Sequence, residues 1–294
     1  MMKRLVLFLF LSFFSLNASS QSDSLIFRSL QDDIFLHPAD GFTAYTLQRG
    51  ELIYNQSPFT LPIPSWAWWG ITDRLTAEID LLPLIGGLFQ EPHLPVPSFN
   101  FRYRLSDQNG WKPSIAFETM YQHLWRTQNQ ADQENLRIER QGGNSWYNHF
   151  NFSWYNQKKL HFHWSVGLTY TENLLIENKD SLNYQGAFFD KTINPDLSLS
   201  IDWRTTPWLS MHATTSYGTT FTYLDNIPRK HQFSYGFRIA PFYKSNKGFF
   251  RSFRAELIGF YMYLPDAQES IESLVPIFPY FYWQWTPKNK QKKA

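Results

Sequence analysis

The sequence contains no cysteine. That excludes disulfides, thiolate metal sites and lipid attachment through a cysteine, and it leaves the compartment open. Long apolar runs are also missing. Beyond the first twenty residues nothing approaches the roughly 18 consecutive apolar residues of a membrane-spanning helix, so a helical membrane protein is excluded. Charge is scarce, at 18% of 294 residues. There is no Gly-rich phosphate loop, no zinc-ligand spacing and no basic cluster suited to nucleic acid. The chain is therefore expected to carry no cofactor and no metal, and to bind no nucleic acid.

What is present begins with a targeting signal. Lys3 and Arg4 form a basic start, and Leu5 to Leu16 is almost unbroken apolar. Such a stretch is too short to span a bilayer as a helix. Ala18 and Ser20 supply the small-x-small pattern of a cleavage site before Gln21. Residues 1–20 are read as a cleaved signal peptide. Its removal takes away two bases and no acids, so the formal charge falls from +2 to 0. A neutral mature chain has no electrostatic footprint for nucleic acid.

Aromatic residues are abundant, at 19%, and they fall on a period of two. A strand between lipid and water alternates apolar and polar residues, because successive side chains point to opposite faces. In 160–173, Leu160, Phe162, Trp164, Val166, Leu168 and Tyr170 share one face, opposite His161, His163, Ser165, Gly167, Thr169 and Thr171. In 197–204, Leu197, Leu199, Ile201 and Trp203 oppose Ser198, Ser200, Asp202 and Arg204. The segments 99–105 and 114–126 repeat the pattern, and further strands are expected at 49–59, 65–71, 74–83, 144–155, 208–223, 231–243, 250–263 and 275–285. That makes twelve, an even number, as single-chain bacterial barrels require. The fold class is all-β: an antiparallel transmembrane β-barrel of twelve strands.

The connections alternate in length. Short ones fall at 71–74, 106–111, 156–159, 205–208 and 244–248, and longer ones around 84–96, 127–143, 175–192 and 264–274. Short turns on one side and long loops on the other mark an outer-membrane barrel with its short side in the periplasm. A soluble β-sandwich also alternates. However, these strands are long, and tryptophans cluster near strand ends (Trp125, Trp146, Trp154, Trp203, Trp283, Trp285), which suits interfacial girdles. The expected organisation is a signal at 1–20, a periplasmic N-terminal segment at 21–48, the barrel at 49–285 and a basic tail at 286–294, placed in a bacterial outer membrane with its lipid as one partner.

The run Gly70-Ile-Thr-Asp-Arg-Leu75, followed by Ala77, Ile79 and Leu81, resembles the first periplasmic hairpin of small outer-membrane barrel proteins of Gram-negative bacteria, porin-like families among them. Thr43-Ala-Tyr-Thr-Leu-Gln-Arg-Gly-Glu51 resembles their approach to the first strand. The likeness covers residues 40–105 and implies fold and location, not a substrate. Such proteins commonly end on an aromatic residue. Here the aromatic run Phe278–Trp285 is followed by nine residues rich in lysine, a departure read as a disordered tail.

The polar faces carry opposed charges: Glu78, Asp80, Glu118, Asp202 and Glu256 against Arg102, Arg104, Arg126, Arg204, Arg238 and Arg254. Charge facing hydrocarbon costs roughly 2–4 kcal/mol at the midplane, so these groups must point inward. They then either line a path for small solutes or ions or pair across strands as a core. Four histidines, His149, His161, His163 and His212, share the inward face, and hydrogen-bonded filling is favoured there over a metal or general-base role. Two functions follow: a porin-like channel or transporter for small solutes, or a closed structural barrel that docks partners. A lipid-modifying enzyme using the outward-facing His123 is a third, weaker reading.

Overall fold

The computed structural model describes the backbone of residues 41–56, 65–81, 98–124, 128–131, 136–156, 159–179, 184–218, 230–264 and 268–285; side chains are described except in 123–143, 173–190 and most of 264–278. The expected signal, the tail 286–294, the loop 84–96 and Arg126 lie outside the described residues.

Among the described residues thirteen strands and one short helix follow one another. They are β1 (Leu52–Gln56), β2 (Trp66–Thr72), β3 (Leu75–Asp80), β4 (Ser98–Ser106), β5 (Ser114–Leu124), β6 (Gln128–Ala131), β7 (Leu136–Asn156), β8 (Leu160–Lys179), β9 (Tyr184–Thr206), β10 (Leu209–Gly218), β11 (Lys230–Ile239), α1 (Gly248–Arg251), β12 (Phe253–Leu264) and β13 (Glu269–Trp285). Each strand pairs antiparallel with its neighbour in sequence, with one exception. Both β5 and β6 pair with β7 and so form one interrupted stave. β1 pairs with β13, Leu52 opposite Trp285, and the sheet closes on itself as twelve staves. Closure leaves the wall without an edge, which a strand in hydrocarbon requires.

Burial is inverted relative to a water-soluble protein. Along β10 the pattern alternates strictly between buried and more exposed residues. The buried side is polar: Ser210, His212, Thr214 and Ser216. The outward side of the barrel carries Trp69, Phe101, Trp146, Phe150, Val166, Leu168, Leu199, Trp203 and Phe233, all well exposed. An apolar exterior around a polar interior is what a bilayer selects. Val166 stands near mid-height, six residues from the start of β8. Val166→Arg is expected to lower the unfolding free energy by roughly 2–4 kcal/mol, read by denaturant titration of the protein folded in lipid vesicles.

The connections at 72–75, 106–114, 156–160, 206–209 and 239–253 all fall at one end, called here the short-turn end. At the other end the structure departs from expectation. Much of 127–143 and 175–192 is strand rather than loop. Pairing of β7 with β8 runs on to Leu136↔Lys179, and pairing of β8 with β9 to Lys179↔Tyr184. These strands have 21, 20 and 23 residues, where about 9–11 suffice to span. Above the hydrocarbon neither face meets lipid, so alternation fades from the sequence while backbone pairing persists.

Candidate functional site

Residues 42–48, the end of the segment expected to lead into the barrel, form a strap inside it. Phe42, Thr43, Ala44, Thr46 and Leu47 are all buried. The strap has good reasons to be there. Its apolar side chains find cover on inward-facing aromatics, where Leu47 packs with Ile53, Trp66, Trp68 and Tyr282. Its backbone finds partners on the polar wall, as a buried N–H must. Ala44 N donates to Ser153 Oγ at 2.8 Å on β7, and Leu47 N donates to Thr76 Oγ1 at 2.8 Å on β3. Arg102 Nη1 on β4 donates to the Tyr45 carbonyl at 3.2 Å. The Tyr45 hydroxyl and His161 Nδ1 on β8 share a hydrogen bond of 2.8 Å. The strap therefore ties β3 and β4 to β7 and β8 across the lumen.

Two glycines allow the strap to leave at the short-turn end. Gly50 has φ +80°, in the left-handed region open to glycine, and closes a turn in which Glu51 N donates to Gln48 O. Gly70 lies against the strap, where an added Cβ would stand 1.9 Å from Gln48 O. Gly50 N donates to Gly70 O and Gly70 N to Glu51 O, at 2.8 and 2.9 Å. The turn is fastened further by Arg49 N to Asp73 Oδ1 at 3.0 Å and Gln284 Nε2 to Glu51 Oε1 at 2.7 Å.

Three of the four inward histidines touch the strap. The ring of Phe42 stands edge-on to His149, centroids 4.3 Å apart. Tyr45 stands edge-on to His161 and His163, at 5.7 and 5.4 Å. His163 Nδ1 bonds Ser153 Oγ at 2.8 Å, the same hydroxyl that receives Ala44 N. The fourth, His212, faces Glu256 at 3.0 Å.

The charged residues form two separate groups. In the first, Arg102 and Glu118 stand directly opposite in register and meet through two bonds, Nη2–Oε1 at 2.8 Å and Nε–Oε2 at 2.9 Å. Asn100 and Asn151 donate to Glu118 as well, and Asn100 also to Glu78 Oε2 at 2.9 Å. Asp80 is buried beside this group, opposite Ser98. In the second, Arg238 and Glu256 stand opposite in register and approach to 3.5 Å, with the Arg238 guanidinium 5.2 Å over the Tyr282 ring. Asp202 lies opposite both His212 and His161. Arg104 does not join the ladder. A register shift after Arg104 turns it toward the β4–β5 turn, where it pairs with Asp107 at 3.0 Å. Arg254 is occupied with the carbonyls of Arg251 and Phe253, and Arg204 lies half-buried near the short-turn end, opposite Ser210. Among the described residues no three His, Asp or Glu side chains assemble as metal ligands do.

Sequence reasoning missed the strap, the bridging amides Asn100 and Asn151, and Asp196. Asp196 is buried and bonds His149 Nε2 at 3.1 Å, with Thr169 Oγ1 as a further donor. It sits on the inward parity of Ser198, Ser200 and Asp202. Pro195 hides the strand there, since proline reads as a strand end. Ser165 shares a hydrogen bond of 2.6 Å with Ser198 across β8 and β9.

A closed antiparallel barrel, lipid-facing outside and polar inside, is an integral membrane protein of the outer-membrane β-barrel class. No family model and no curated protein matches the chain. Solved structures similar to it include outer-membrane β-barrel proteins. The outer membrane protease OmpT from Escherichia coli is 7% identical over 80% of this chain and 89% of its own, with a TM-score of 0.32. The translocator domain of the autotransporter NalP from Neisseria meningitidis is 10% identical over 80% and 86%, with a TM-score of 0.31. The CymD monoaromatic hydrocarbon channel is 9% identical over 81% and 87%, with a TM-score of 0.30.

Proposed function

We propose that the protein is a porin-like conduit for small solutes, held closed by its own N-terminal strap. The observation that carries this reading is the strap's attachment. It crosses the lumen on a few hydrogen bonds and an apolar contact with Trp66, Trp68 and Tyr282, against a wall that is otherwise largely polar, and each of those bonds has an equivalent with water. Withdrawal of the strap would leave a lumen lined by hydroxyls, amides, imidazoles and charges of both signs, which suits small polar or ionic solutes of either charge. On this reading the protein is a conduit and not an enzyme.

Planar-bilayer recording tests it. The full chain is expected to show no steady conductance, and a chain lacking residues 21–48 is expected to show discrete single-channel steps. A strap-less barrel that folds, by heat-modifiable migration on gels, and still conducts nothing would remove the reading. A second reading rests on the tall β7–β8 and β8–β9 hairpins, whose pairing extends well beyond a membrane span. They give a platform for partner docking, and trimming 174–190 should then abolish co-purification of a partner without altering conductance.

A further inference from the structure

The lipid-facing wall is not uniformly convex. A groove of about 650 Å³ crosses β8, β9 and β10. Its floor is made by the two small outward residues of β10, Ala213 and Thr215, which sit in register between Ile201 and Leu199 on β9 and Tyr235 and Phe233 on β11. At the short-turn end it is bounded by Trp111 and Trp154. Trp111 is 82% exposed, yet the turn that carries it is pinned to β7. Trp154 Nε1 donates to Gly110 O at 3.2 Å, and Gln108 exchanges bonds of 3.1 and 3.0 Å with the Tyr155 backbone.

The groove has the reach of a single acyl chain. Thr215 lies six residues along β10 from Leu209, about 20 Å of strand at roughly 3.3 Å per residue. At a tilt of about 40° this is about 15 Å of depth, half of a bilayer core. The groove therefore runs from the interface on the short-turn side to near the midplane. At its interfacial end the exposed charged chains of the two turns are Lys112 in the β4–β5 turn and Lys159 in the β7–β8 turn, the acid Asp107 being paired with Arg74 and Arg104. A second copy docked there would bring these lysines toward their own counterparts, whereas a phosphate is attracted to them.

We propose that this groove is a specific phospholipid site, with one acyl chain lying on Ala213 and Thr215 beneath Trp111 and an anionic headgroup held at Lys112 and Lys159. Native mass spectrometry of the full chain in mild detergent, with phosphatidylglycerol or phosphatidylcholine added, tests it. The unaltered protein should hold one lipid under activation that strips all others, with phosphatidylglycerol preferred. Filling the groove by Ala213→Phe with Thr215→Phe should lower that occupancy about tenfold in a barrel that still migrates as folded. Lys112→Ala with Lys159→Ala should keep the lipid and erase the headgroup preference. Retention of the lipid by the filled variant overturns the proposal. So does an unaltered protein that holds none, or a dimer that the filled variant abolishes, which would put a second copy in the groove.

Discussion

A Gly70→Leu barrel is expected to conduct where the unaltered protein does not, with the open fraction raised at least tenfold in planar-bilayer recordings. The strap is only marginally bound. Hydrogen bonds with Ser153, His161, Asp73, Thr76 and Arg102 hold residues 44–47 to the barrel, each contributing about 1 kcal/mol net. Burial of Phe42 and Leu47 adds about 1.5–3 kcal/mol apiece. Against this stands the ordering of residues 42–48, at about 1–2 kcal/mol each. The two sides come within a few kcal/mol of each other with the bound strap favoured, so a modest perturbation raises the open fraction. Overpacking costs about 1–3 kcal/mol where neighbours can yield, and here the obstructing atom is backbone, Gln48 O, 1.9 Å from the new Cβ. Tenfold in population requires only about 1.4 kcal/mol. The outward substitution Trp69→Leu, one residue away on the other face, should leave conductance at zero. If Gly70→Leu folds and stays silent, the strap is a permanent part of the core and not a stopper.

The barrel was legible in the sequence because lipid on one face and polar groups on the other impose strict alternation, which survives wherever a strand lies in hydrocarbon. Val166 and Ser165, or Leu199 and Ser200, declare their faces without help. The same reasoning explains what could not be read. Where β7, β8 and β9 rise above the membrane, the demand for alternation ends and the strands look like loops. The strap has no period at all, being short and irregular. Its trace lies instead in β2, where Trp66 and Trp68 face inward and Trp69 outward. A strand apolar on both faces needs cover on both, and in a barrel the inner cover has to come from elsewhere in the chain. Read that way, Trp66-Ala-Trp-Trp-Gly70 signals a segment in the lumen and the glycine at which it passes. Alternation puts Glu78, Asp80, Arg102, Glu118, Asp202, Arg238 and Glu256 on buried positions. Their partition was not legible, because the register shift after Arg104 follows from turn geometry and not from residue type.

Glu118→Ala is expected to lower the unfolding free energy by about 3–5 kcal/mol, the largest loss foreseen for any single wall residue. The carboxylate is fully enclosed: the Arg102 and Glu118 side chains are 1% and 2% exposed. Its removal leaves the Arg102 guanidinium beside the Tyr45 carbonyl and the Trp68 ring, 5.5 Å from the centroid, but without its paired carboxylate. The Asn100 and Asn151 amides lose an acceptor as well. Denaturant titration of vesicle-folded protein, followed by tryptophan fluorescence, measures the loss. Arg102→Met combined with Glu118→Met should cost much less than Glu118→Ala alone, since a buried pair replaced by apolar groups is often near neutral while a broken pair is not. That double variant still lacks the Arg102 bond to the strap, so it should be stable and yet conduct more often than the unaltered barrel. Stability and conductance then move separately, which separates the part of this network that holds the wall together from the part that latches the strap.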